Sequence, residues 1–380
     1  MTGTAHATPE ERDVVVSWAE ASAQSRAPLV VLDPLREFLD RSGIGSGELV
    51  ARPIGDGHSN VTFELLRDDV HVVLRRPPRP PFAPSAHDVL REARLLLGLA
   101  PAGVRVPRVL ATCDDEAVVG APFYVMEHVD GAILGAVGDA PPEDVRPDVG
   151  AELVDALIQL HAVDVRAPAL QGFGRPTGYL ERQLRRFASV WETQRTRPLE
   201  DVDRVGAWLT DHLPGASATA VVHGDYRLGN VMLSRSGPCR LLAILDWEMA
   251  TVGDPLADVG YLCATWAQPG DAENPMLALS AVTRLAGFAT PDDLRERYAT
   301  ATGRDVDDLR FYEVLALWKS AIFLESSFRR FREGTTDDPY FAALEAGVPR
   351  LARAALERTG RVSSRPGLAP TLPPEPFAAS

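Results

Sequence analysis

His223-Gly224-Asp225-Tyr226-Arg227-Leu228-Gly229-Asn230, followed by the run Leu241-Leu242-Ala243-Ile244-Leu245-Asp246-Trp247-Glu248, is the stretch on which the reading of this chain turns. Asn230 stands five residues after Asp225, and Asp246 sixteen after Asn230. The segments TAVVH (219–223), VMLS (231–234) and LLAILD (241–246) are short apolar runs with strand character, which puts the polar residues on strand ends and on the loop between them. Isolated His-x-Asp triplets also arise in turns, where Asp and Asn side chains bond nearby backbone. Here two carboxylates and a carboxamide oxygen converge from two short segments. That donor set suits Mg2+ and can hold a hydroxyl against a triphosphate.

The offset from Asp225 to Asn230 matches the kinase catalytic loop His-Arg-Asp-x-x-x-x-Asn, in which the Asp is the base and the Asn holds metal. Gly224 replaces the middle Arg. By this reading Asp225 accepts or orients the acceptor hydroxyl proton, Asn230 and Asp246 ligate Mg2+, and Arg227 clamps the transferred phosphoryl group. His223 packs and orients the loop. Glu248 reads equally well as a second-metal or substrate contact and as a surface carboxylate.

These residues resemble the HGDxxxxN motif and later Asp of the aminoglycoside phosphotransferase and choline kinase-like group, with DWE where protein kinases carry DFG. The likeness runs from about Ile54 to Tyr261. It implies an α+β, bilobal, protein-kinase-like fold: a small lobe of five antiparallel strands plus one helix, and a large, mainly helical lobe. It also implies ATP or GTP and Mg2+ as cofactors and a small-molecule hydroxyl as acceptor. VVLRRPP (72–78), AHDVLREARLL (86–96) and GDPLADVGYL (253–262) are especially similar to the kinase-like domains joined to acyl-CoA dehydrogenases. That similarity implies a hydroxylated acyl thioester as an acceptor competing with an aminoglycoside. Asp258 resembles a family Asp that braces the catalytic loop.

The rest of the chain fits the scheme. VVVSWAEASA (14–23) reads as a short helix, and Asp33-Pro34 opens a second one that stops before Gly43. ELVARPI, VTFELLR and VHVVLR (48–54, 61–67, 70–75) read as an antiparallel meander. A helix with Val89, Leu90, Ala93, Leu96 and Leu97 at helical spacing follows, then strands PRVLATC (107–113) and PFYVMEHV (122–129). Val149, Leu153, Leu157 and Leu160 form one helical stripe, and Leu180, Leu184, Phe187 and Trp191 another. Segments 276–287, 291–301 and 306–332 read as further helices, and the Pro-rich residues 363–380 as a mobile tail. The division expected is 1–128 for the nucleotide-binding lobe, 129–345 for the catalytic and acceptor lobe, and 346–380 for a helix end and tail.

On the nucleotide side, the glycine-containing loop 54–60 offers Gly57, Ser59 and Asn60 as phosphate contacts, because small residues let backbone N–H groups approach oxygen. In protein kinases a strand Lys pairs with phosphate and with a helix Glu. The sole lysine here is Lys319, in the helical C-terminal region, so Arg75 takes that role with Glu92 as partner. Arg76 should point to the opposite face of the strand. Backbone groups from Glu127 to Val129 are placed at the adenine edge, beside Met126.

A net charge of −14 opposes nucleic-acid binding. Cys113, Cys239 and Cys263 form no CxxC pair and read as reduced thiols. The N-terminus lacks a basic region followed by an apolar one, and no apolar run reaches spanning length, so a cytoplasmic protein off the membrane is expected. Oligomeric state is open. Two other classes compete: a nucleotide-binding regulator without catalysis, suggested by the missing strand Lys, and a metal hydrolase using His223 and Asp225.

Overall fold

The computed structural model describes residues 13–55, 60–80, 87–215, 218–334 and 339–360. Near the N-terminus Val14–Val15 pairs in parallel with Val30–Val31. The expected helix over 14–23 is therefore confined to Trp18–Ser22, where the Ser17 side chain caps the first turn. The next helix, α1 (Leu32–Arg41), already includes Asp33 and Pro34 in its first turn, and Ser42 and Gly43 close it, Gly43 at φ +67°.

Five strands follow: β1 (Val50–Ile54), β2 (Val61–Leu66), β3 (His71–Arg76), β4 (Val109–Cys113) and β5 (Phe123–Glu127). They form one antiparallel sheet in the order β1-β2-β3-β5-β4. Side chains alternate between faces. Phe63, Leu65, Val72, Leu74, Phe123 and Val125 pack with Leu35 and Leu39 of α1 into one core. Thr62 opposite Arg75, Glu64 opposite Val73, and Tyr124 opposite Arg75 lie on the other face.

Helix α2 (Val89–Leu99), between β3 and β4, starts on Asp88, whose carboxylate accepts from Arg91 N at 2.9 Å. Its buried residues are Val89, Glu92, Ala93, Leu95, Leu96 and Leu99. Leu97, expected on that face, is 51% exposed. The buried stripe rotates to include Glu92 because the helix covers an ionic site and not only a core.

Beyond the segment 128–145, α3 (Arg146–His161) and α4 (Tyr179–Gln194) carry the two expected stripes. Four short strands frame the loop 223–230: β6 (Ala220–Val222), β7 (Val231–Leu233), β8 (Leu241–Ile244) and β9 (Thr251–Gly253). β7 pairs with β8 and β6 with β9, both antiparallel. Helices α5 (Leu256–Thr265), α6 (Leu309–Arg332) and α7 (Pro339–Gly360) complete the large-lobe core. The expected helix 276–287 is a short helix, Pro275–Ala278, followed by a 3-10 turn, Ala281–Arg284. The tail 363–380 lies outside the described residues. Among the described residues no helix is long and apolar enough to cross a membrane.

Candidate active site

The loop from β6 to β7 is held by buried hydrogen bonds. Gly224 takes φ +87°, and a Cβ there would stand 2.8 Å from Met249 O. Only glycine combines that conformation with that approach. The Asp258 carboxylate, fully buried at the start of α5, accepts from His223 N at 2.7 Å and Gly224 N at 2.8 Å. His161 of α3 contacts the same carboxylate at 3.3 Å. Asp258 thus braces the loop in the way the resemblance implied. Tyr226, also fully buried, donates its hydroxyl to Leu153 O at 2.7 Å and ties the loop to α3.

His223 has both ring nitrogens engaged. Nε2 lies 2.8 Å from Leu245 O and must donate, because a carbonyl only accepts. Nδ1 then accepts from Asp225 N at 3.3 Å. This neutral tautomer links the catalytic loop to the residue before Asp246 and leaves no nitrogen for a metal, which counts against the hydrolase alternative. Leu245 N donates to Asn230 O at 2.8 Å, a second tie between the two segments.

Asn230 donates Nδ2 to Asp225 Oδ2 at 2.6 Å and to Asp225 O at 2.9 Å. That fixes the base candidate and leaves Oδ1 as the amide's remaining polar atom. Arg227 Nε lies 3.5 Å from Asp225 Oδ2, so the candidate clamp stands beside the candidate base. Asp246 takes a left-handed conformation, φ +61°, uncommon for a non-glycine residue and typical of functional turns. Glu248, half-buried in the turn that follows, does not separate its two readings.

The small lobe reaches into this site through Arg75 of β3 and through Glu92 and Arg91 of α2. Arg75 Nε lies 3.1 Å from Glu92 Oε2, Nη1 3.4 Å from Thr62 Oγ1, and Nη2 2.6 Å from Asp246 Oδ1. Burial works against its charge, but Glu92 and then Asp246 more than offset this and raise its pKa. Burial pushes the Glu92 carboxyl up, and Arg75 pulls it back. Glu92 Oε1 also accepts from Trp247 N at 3.3 Å. The neighbouring Arg91 donates to Ala250 O at 2.7 Å, so α2 is docked onto the turn after Asp246. Arg76 points the other way, donating to Leu29 O and to Val119 O.

Four nucleotide-side positions differ from expectation or escape it. Gly57 and Ser59 lie outside the described residues. Asn60 is turned inward, Nδ2 at 3.4 Å from Glu92 Oε2 and Oδ1 at 3.0 Å from His87 Nδ1, so its side chain supports Glu92 in this conformation. Glu127 N–H is taken by Arg108 O at 2.9 Å, and its carboxylate accepts from Arg108 N. Of the backbone groups expected at the adenine edge, Glu127 N–H is therefore already used within the small lobe.

The donors Asp225 Oδ, Asn230 Oδ1 and Asp246 Oδ are hard oxygens, the chemistry that fits Mg2+. Arg91, Thr62 and the Arg75–Asp246 bridge were not foreseen. The last joins residues 171 apart in sequence, and only the seating of the lobes reveals it.

The family described as "Phosphotransferase enzyme family" matches residues 50–318. The chain is 34% identical over 305 residues to mouse acyl-CoA dehydrogenase family member 10, covering 79% of this chain and 28% of that protein. It is 32% identical over 327 residues to chicken acyl-CoA dehydrogenase family member 11, covering 84% and 41%. The chain thus spans well under half the length of these relatives. A crystal structure of a candidate aminoglycoside phosphotransferase from Ralstonia eutropha superposes with a TM-score of 0.71 at 30% identity, covering 86% of this chain and 97% of that one. Aminoglycoside phosphotransferase APH(4)-Ia, solved with AMP-PNP and hygromycin B, shares the fold at TM-score 0.58 and 18% identity, covering 87% of this chain and all of that one. With the matched region running from β1 into α6 and enclosing both the Arg75–Glu92 pair and the catalytic loop, this chain belongs to the phosphotransferase enzyme family.

Proposed function

We propose that the protein transfers the γ-phosphoryl group of a nucleoside triphosphate, ATP or GTP, held with Mg2+, to a hydroxyl of a small molecule. The observation that carries this reading is the meeting of Asp225, Asn230 and Asp246 on one side of the cleft with the Arg75–Glu92 pair on the other.

In this reading Asp225 orients the acceptor hydroxyl and takes its proton as the new P–O bond forms and the bond to the β-phosphate oxygen breaks. Arg227, beside it, meets the charge on the moving phosphoryl group. Arg75 turns from Asp246 to the phosphates while Glu92 keeps its Nε. Asn230 and Asp246 would hold Mg2+, whose charge would offset that of the triphosphate. Glu127 C=O and the Val129 backbone hold the adenine edge. Positioning and charge neutralisation supply most of the acceleration, so Asp225 needs no unusual basicity.

For the acceptor, we favour a hydroxylated acyl thioester over an aminoglycoside, because the relatives named above carry acyl-CoA dehydrogenase names. The test is ATP- and GTP-dependent phosphorylation across hydroxyacyl-CoA thioesters, aminoglycosides, choline, homoserine and sugars. Phosphorylated hydroxyacyl thioester supports the reading. A phosphorylated aminoglycoside keeps the kinase and overturns the acceptor, and nucleotide binding with no product favours the regulator.

A further inference from the structure

We propose that Glu64, His71 and His128 bind a divalent transition-metal cation of the Zn2+ class at the outer end of the cleft face, apart from the Mg2+ ligands. Glu64 lies on β2, His71 begins β3, and His128 follows the last residue of β5. Register brings them together: Glu64 sits opposite Val73, two residues from His71, and Val73 sits opposite Met126, two residues from His128. With alternation by two, all three side chains leave the same face of three neighbouring strands.

One ligand atom from each residue lies within 4.8 Å of the other two. Glu64 Oε1 is 2.7 Å from His71 Nε2, and the two imidazole rings stack at 3.6 Å with 16° between planes. Terminal ring torsions are soft, so modest rotations turn both nitrogen lone pairs toward one ion beside the carboxylate. Two imidazoles and one carboxylate select Zn2+, Co2+ or Ni2+ over Mg2+, which prefers all-oxygen surroundings. Three protein ligands leave a fourth position for water or a ligand.

Electrostatics point the same way. Two face-to-face imidazolium rings would repel. Neutral imidazole is the ligating form. Asp130 is engaged by Arg235 at 3.0 Å, and Arg235 also acts on His128 from the large lobe.

The test is calorimetric titration of the whole chain with Zn2+ in excess Mg2+ and without nucleotide, which keeps it independent of the proposed activity. One equivalent should bind, and bound Zn2+ should raise the thermal midpoint by linkage. In His71→Ala/His128→Ala the affinity should fall by at least about 100-fold, since even residues that merely orient metal ligands are worth up to that. Glu64→Gln should weaken binding without changing the zinc-free midpoint. Absence of saturable Zn2+ binding by the unaltered chain, or equal affinity in the double variant, would reduce the cluster to an ion pair with a stacked ring and overturn the proposal.

Discussion

Arg75 Nη2 stands 2.6 Å from Asp246 Oδ1 while Arg75 Nε stands 3.1 Å from Glu92 Oε2, so one guanidinium joins the small-lobe helix to the turn after β8. A lysine could bond both carboxylates only if both reached its one nitrogen, whereas the planar fork meets them with separate nitrogens. The Glu92 side chain is 2% exposed and that of Asp246 31%. The two contacts therefore differ in worth.

Removing the guanidinium strands Glu92 without its cation. Arg75→Ala should lower unfolding stability by about 3–5 kcal/mol, the cost of breaking a buried pair, as read by urea denaturation. Adding Glu92→Gln should recover part of that loss. A single variant as stable as the unaltered chain would show that Glu92 is not dependent on Arg75.

Gly224→Ala tests the loop geometry. At φ +87° a side chain costs on the order of 1–2 kcal/mol, and the Cβ would collide with Met249 O. The variant should fold with a lowered midpoint and lose turnover more than nucleotide affinity, because Asp225 is adjacent. Kinetics and nucleotide titration on the same preparation separate the two effects.

Much of this was legible beforehand for identifiable reasons. The sheet could be read because the strand-like runs of β1, β2 and β3 are separated by the turn residues of GDGHSN (55–60) and Asp68-Asp69. Arg75 and Glu92 could be paired because strand alternation excludes Arg76 and the kinase pattern pairs the strand cation with a Glu on the following helix. The Arg75–Asp246 bridge could not, because it depends on how closely two lobes sit. Leu97 misled because hydrophobicity alone does not distinguish a face covering a core from one covering an ion pair. Val14–Val15 misled because a two-residue parallel pairing with Val30–Val31 overrides weak helical preference.

Lys319, the sole lysine, projects from α6 with its ammonium 5.0 Å from the Phe187 ring centre. Burial first, then Arg186, lower its pKa to about 8, against Asp258 and Asp225. Its folded value lies below the unfolded one. Stability is therefore undiminished where both states are neutral, above the ordinary lysine range. It declines as pH falls from that range to about 8 and then levels off. Reductive 13C-methylation gives one side-chain resonance, which should titrate near 8. Lys319→Met should be more stable near neutral pH by on the order of 2 kcal/mol. Titration in the ordinary lysine range would show an ammonium in water.

In the proposed reaction Asp225, held by Asn230 at 2.6 Å, serves phosphoryl transfer and not nucleotide binding. The direct measurement is phosphate transfer from Mg2+-ATP to the hydroxyl acceptors named above, with Asp225→Ala and Asp246→Ala beside the unaltered chain. Asp225→Ala should lose at least about 1,000-fold in turnover with its nucleotide affinity nearly unchanged, and Asp246→Ala should lose Mg2+-dependent nucleotide affinity as well. Product formed by Asp225→Ala at the unaltered rate would contradict the account.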